Sequence, residues 1–77
     1  MPPKLPPTSG EKTIRALKYL GFVVVRQRGS HVVLKKQVSK QEEITCVVPL
    51  HDELAAGTLR GILKQARVTT EEFINHL

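Results

Sequence analysis

The chain has 77 residues, 40% of them apolar and 25% charged, with a net charge of +5. That length fits one domain with a thin core and excludes a second, while the ordinary apolar fraction excludes disorder throughout. A small chain with this positive excess suits a polyanion, whether nucleic acid, an anionic surface or an acidic protein.

Along the chain, residues 1–10 read as a flexible proline-rich arm and 11–77 as the folded domain. Pro2, Pro3, Pro6 and Pro7 exclude helix and ladder pairing there. A helix is predicted near Glu11–Leu20. Thr8 or Ser9 can cap it, and Ile14, Leu17 and Leu20 line its apolar flank. Gly21 ends it. The β-branched run Phe22–Arg28 predicts a strand. Gly29-Ser30, glycine first, suits a type II′ hairpin turn, and His31–Lys36 is the return strand. A polar connection leads to a third strand, Glu43–Val48, which Pro49 terminates. A second helix is expected from about Thr58 to Ala66. Thr69-Thr70-Glu71-Glu72 looks like the capped start of a short last helix. The fold class is α+β, with a three-stranded antiparallel sheet covered by helices on one face.

Several classes are excluded by what is missing. With no tryptophan and 4% aromatic residues, a platform stacking several bases is not expected. The single cysteine, Cys46, cannot form an internal disulfide, and its apolar neighbours suggest a buried, inert thiol. No apolar stretch approaches a membrane span and no signal-peptide core is visible, so a cytoplasmic protein without a membrane role is expected. His, Cys and carboxylates do not cluster at metal-ligand spacing, so neither a metal nor another cofactor is expected.

Strand alternation divides the sheet into two unlike faces. If Gly29-Ser30 is the turn, Val23, Val25, Val32 and Leu34 fall on one face. Arg26, Arg28, His31 and Lys35 fall on the other, with Val24 and Val33 between them. Pairing Val48 with Val32 and Cys46 with Leu34 turns Ile44, Cys46 and Val48 inward. The same register sets Pro49 beside His31, with His51 just beyond.

A basic face holding a histidine has the residue types for metal-free RNA cleavage. The 2′-hydroxyl attacks its own phosphate, a base takes its proton, and an acid protonates the leaving oxygen. Histidine suits both roles, and Arg or Lys stabilises the charged phosphorane. His31 is the first candidate, with Arg26, Arg28 and Lys35 around it and His51 as a second member. The Gly57-Thr58 helix start offers backbone N–H groups to phosphate. From the residues alone two readings stay open, because a lone surface histidine is more often solvated than catalytic and a basic face can serve solubility only.

The runs Gly21-Phe22 and Arg26-Gln27-Arg28-Gly29-Ser30-His31 resemble the HicA (YcfA-like) toxin family. So do Val48-Pro49-Leu50-His51, Glu53-Leu54, Gly57-Thr58-Leu59-Arg60, Ile62-Leu63-Lys64-Gln65-Ala66 and Thr70-Glu71-Glu72-Phe73. Together they span about Thr13 to Leu77. The resemblance implies a double-stranded-RNA-binding-like α-β-β-β-α fold. It implies a type II toxin that cleaves mRNA and arrests translation, with the histidine of the Gly-Ser-His motif, His31, as catalytic acid or base; Ser30 beside it is a further RNA-binding candidate. It also implies mRNA and a HicB-type antitoxin as partners, with no DNA bound by this chain alone. The alternative is a non-catalytic RNA-binding module on the same fold. Two features depart from the family pattern: the proline-rich arm is long, and Arg67 stands where the family often has glycine.

Overall fold

The computed structural model describes residues 4–77; the arm's first residues, Met1, Pro2 and Pro3, lie outside the described part. The elements are α1 (Gly10–Tyr19), β1 (Val23–Arg28), β2 (His31–Gln37), β3 (Glu43–Pro49), α2 (Ala56–Ala66) and α3 (Thr70–Ile74). The strands form one antiparallel sheet in the order β1-β2-β3. This is the α-β-β-β-α order expected, with the short extra helix after it. α2 begins two residues before Thr58, and the first helix begins at Gly10, one residue inside the expected arm.

Alternation along β2 and β3 sorts their side chains. Val32, Leu34, Ile44, Cys46 and Val48 are buried, while the intervening residues are partly or fully exposed. The pairs Val32↔Val48 and Leu34↔Cys46 align the two apolar rows as expected. Against them pack Leu17 of α1, Leu59, Ile62 and Leu63 of α2, and Phe73 of α3. Each such side chain contributes roughly 1.5–3 kcal/mol when fully buried. The β2–β3 pair and the helices therefore carry most of the stability. Burial also pushes the Cys46 thiol up to about 11, leaving it un-ionised and inert.

β1 corrects the sequence reading. All of its residues are exposed, including Val23 at 62% and Val25 at 52%, which strict alternation assigns to the buried face. A β-bulge and the lack of a covering helix are the causes. Arg26 pairs with Val33, but Val24 pairs with Leu34 and Val23 with Lys35. One residue is extra, so Val23 and Val24 exchange faces beyond the bulge. α2 packs on β3, at the opposite edge of the sheet, which leaves β1 without a cover on either side.

α1 is also rotated from its expected flank. Its buried residues are Gly10, Thr13, Ala16 and Leu17, while Ile14 and Leu20 are only half-buried. Small residues on the buried stripe bring the helix close to β3. At Gly10 the approach is tightest, since an added Cβ would collide with the Pro49 carbonyl oxygen and stand 3.1 Å from Leu50 Cα. The Gly10 N–H donates to the His51 carbonyl at 2.9 Å.

Residues 4–9 are seated on the domain and do not project from it. Leu5 packs against the core, Thr8 is buried, and the Thr8 carbonyl accepts the Leu54 N–H at 2.8 Å. Ser9 caps α1 by accepting the Lys12 N–H. At the other end, α3 opens with the expected capping box, Thr69 with Glu72. Those hydrogen bonds hold the Glu72 carboxyl below its ordinary range. Arg67 ends α2 in the left-handed conformation, φ 56° and ψ 39°. Its guanidinium donates to both carboxylate oxygens of Glu42, at 3.1 and 3.3 Å, which raises its pKa further.

Two stability predictions follow from these contacts. Gly10→Ala improves helix propensity by up to about 1 kcal/mol, but the clash meets backbone that cannot swing aside and costs about 1–3 kcal/mol. The urea midpoint should fall; a rise would contradict the close approach. Arg67→Gly relieves left-handed strain and gives up only an exposed ion pair, which is worth little. Its midpoint should match or exceed the parent's. Arg67→Ala keeps the strain and loses the pair, so it should be the least stable of the three. The reverse order for Gly and Ala would contradict the strain.

Candidate nucleic-acid interface

The face of the sheet away from the helices holds the candidate residues of β1 and β2. Its end row is Arg28↔His31↔Pro49, and the next is Arg26↔Val33↔Val47. His31 opens the middle strand and is exposed, with an arginine on one side and a proline on the other. Arg26 and Arg28 are exposed and form no ion pair among the described residues.

Local geometry holds this corner in place. Gly29 takes φ +57°, and Ser30 does not have positive φ, as a type II′ turn requires. The Gln27 side chain donates to the Gly29 carbonyl at 3.0 Å. On the other flank the Leu50 N–H donates to the Ser30 carbonyl at 2.6 Å. That bond makes His31↔Pro49 a non-hydrogen-bonded pair. Proline therefore removes no ladder bond there. Facing side chains also come nearest in such a pair, with Cα atoms about 4.5 Å apart, so Pro49 is a close cross-strand neighbour of His31.

The remaining candidates are distributed around this corner. Ser30 is exposed in the turn next to His31. His51 is exposed just past β3, and its backbone is fixed by the Gly10 contact. Lys35 shares the face of His31 but lies two rows away, and its ammonium is 3.1 Å from Glu43. Thr58 is not on this face: it is exposed on α2, in the helix layer. α2 starts at the same end of the sheet, because a short loop joins it to Pro49. Its N-cap, Ala55, makes no side-chain hydrogen bond, so the first backbone N–H groups of α2 have no side-chain cap. Among the described residues no group of His, Cys, Asp and Glu could hold a metal, and no helix is long and apolar enough to cross a membrane.

Glu43 is the participant the sequence reading missed. The register already in hand pairs Gln37 with Glu43, which makes Lys35 and Glu43 diagonal neighbours within reach of long side chains. The face is also more apolar than a purely basic surface. Val47 is 39% exposed, and Val23, 62% exposed, joins it through the bulge.

Compared with known families, the chain matches a model described as HicA toxin of bacterial toxin–antitoxin over residues 10–68. The match runs from α1 past the end of α2 and takes in every candidate residue. No curated protein matches the chain.

Glu43→Gln tests the charge balance of the face. It removes one negative charge and frees Lys35, so the protein should elute from heparin at higher salt than the parent. Elution at equal or lower salt would mean that Lys35 does not face the polyanion.

Proposed function

The chain belongs to the HicA toxin family of toxin–antitoxin systems, and from that premise we propose that it is an endoribonuclease that cleaves mRNA without a metal, using His31. Family membership brings with it the double-stranded-RNA-binding-like fold, a cognate antitoxin partner and, across the family generally, endoribonuclease activity. The observation that carries the reading for this chain is the row Arg28↔His31↔Pro49: an exposed histidine on a strand, next to an arginine that forms no ion pair among the described residues.

The chemistry needs one proton removed and one delivered. The 2′-oxygen attacks the adjacent phosphorus and its proton passes to a base. The bond from phosphorus to the 5′-oxygen breaks, and that oxygen takes a proton. The products are a 2′,3′-cyclic phosphate and a 5′-hydroxyl. His31 is assigned the acid or the base role. Arg26 and Arg28 are assigned to the phosphate, where charge builds in the transition state. Ser30 and Lys35 border the path of the RNA. His51 and the start of α2 at Thr58 extend the contact around the end of the sheet. mRNA is the substrate and the cytoplasm the place of action.

A HicB-type antitoxin covering this face would hide His31 and bury Val23 and Val47 with it. Cations beside exposed aliphatic side chains suit an acidic partner with an apolar centre.

The test is incubation of the purified chain with a long single-stranded RNA in excess EDTA, beside His31→Ala. The wild type should cleave. The variant should bind RNA but lose about 10²–10⁴-fold in rate, the range of acid–base catalysis. Cleavage by both at similar rates would remove His31 from the mechanism. Absence of cleavage by either, with both folded and bound, would assign the chain to the non-catalytic RNA-binding reading.

A further inference from the structure

We propose that the exposed side of α1 is a second RNA contact, with phosphates held by Lys12 and Arg15 and a base stacked on Tyr19. The inference rests on RNA being the ligand of the sheet face and adds a surface to it.

Two grooves adjoin along this side of the helix. Pro6, Pro7, Lys12, Arg15 and His76 are among the residues lining one, and Arg15, Lys18 and Tyr19 line the other. Arg15 belongs to both, so they form one track. Lys12, Arg15 and Tyr19 recur at helical spacing on a single stripe. From Lys12 to Tyr19 the helix rises about 10 Å, close to the rise of three stacked nucleotides. The only carboxylate in ion-pair range on the track, among the described residues, is Glu11. It is 4.0 Å from Arg15, and both side chains are mostly exposed, so this pair leaves the cation available to phosphate.

Tyr19 supplies the second observation. It is 72% exposed, so burial in the core does not account for a large ring there. It lies parallel to the His76 ring, at 14° and 6.0 Å between centroids. Exposed aromatics beside a basic groove are how proteins hold single-stranded bases regardless of sequence.

The start of the track lies near one end of the sheet. α1 begins where β3 ends, since Gly10 is bonded to the His51 carbonyl. A strand leaving His31 by way of Pro49 and His51 would reach the start of α1, two residues before Lys12. The shortest dimension of the molecule is 18 Å, a distance that about five or six stacked nucleotides cover. A single RNA strand of a dozen or more nucleotides can therefore touch both surfaces.

The test uses the full chain carrying His31→Ala as the parent, so that RNA stays uncut, and a 20-nucleotide single-stranded RNA read by fluorescence anisotropy across a salt series. Adding Lys12→Ala and Arg15→Ala should weaken binding about tenfold and flatten the log–log salt slope by roughly 1.4, from about 0.7 per lost phosphate contact. Tyr19→Ala should weaken binding by about five- to a hundredfold while leaving that slope unchanged. All three side chains are exposed, so unfolding midpoints should hold; Lys12→Gln with Arg15→Gln replaces the Ala pair if they do not. Parental affinity and slope in these variants would overturn the proposal, including the case in which they lose an acidic protein partner instead. A parent that shows no salt-dependent RNA binding would overturn the RNA reading of the sheet face as well, and the two failures are told apart by the parent alone.

Discussion

One-sided burial of the β2–β3 pair is the constraint on which the rest of the structure depends. A three-stranded sheet this small can bury only one face with three short helices. Val32, Leu34, Ile44, Cys46 and Val48 take that face. Period-two alternation then forces His31, Val33, Lys35 and Val47 into solvent. No separate device is needed to expose the histidine, because the same register that fills the core turns it outward. A slip of one residue in β2 would bury the imidazole and expose Leu34.

The position of His31 along its strand is fixed as firmly as its face. The Gly29 turn stops β1 and β2 on one side. The Leu50 to Ser30 hydrogen bond ties β3 on the other, with Pro49 at a pairing site that needs no N–H. α1 then docks on the same corner through Gly10, and Thr8 holds the loop to α2 by Leu54. Backbone bonds from the segment before α1, from the start of α1 and from the residues just past β3 converge here, so the candidate corner rests on strands and a helix start and not on a free loop. Such support suits a site whose groups must meet a phosphate within fractions of an ångström.

How much of this could be read from the residues follows from the range of each signal. Turn, alternation and strand-ending proline are local, and together they led to the β2–β3 register pair by pair. The capping box at Thr69 is equally local. The bulge in β1 was not legible: Val23-Val24-Val25 is a uniform run, and nothing in it marks which valine leaves the ladder. Seating of Leu5 and Thr8 was hidden behind proline composition, which reports on hydrogen bonding and not on docking. The apolar flank of α1 was misjudged because small residues, Gly10, Thr13 and Ala16, made the contact in place of Ile14. Arg67 takes the left-handed conformation usually left to glycine, and its Glu42 partner lies 25 residues away, beyond any local pattern. Of the candidate site, the Arg26, Arg28 and His31 cluster was legible from the hairpin alone. The placing of Thr58 in the helix layer needed the tertiary structure.

The central claim is that an exposed histidine on a basic sheet face works on RNA by proton transfer, through attack of the 2′-oxygen. End-group analysis of the RNA fragments made in EDTA tests it most directly. The account predicts 2′,3′-cyclic phosphate on the upstream fragment and a free 5′-hydroxyl on the downstream one. Fragments ending in a 3′-hydroxyl and a 5′-phosphate would mean that water attacks instead, and would contradict it.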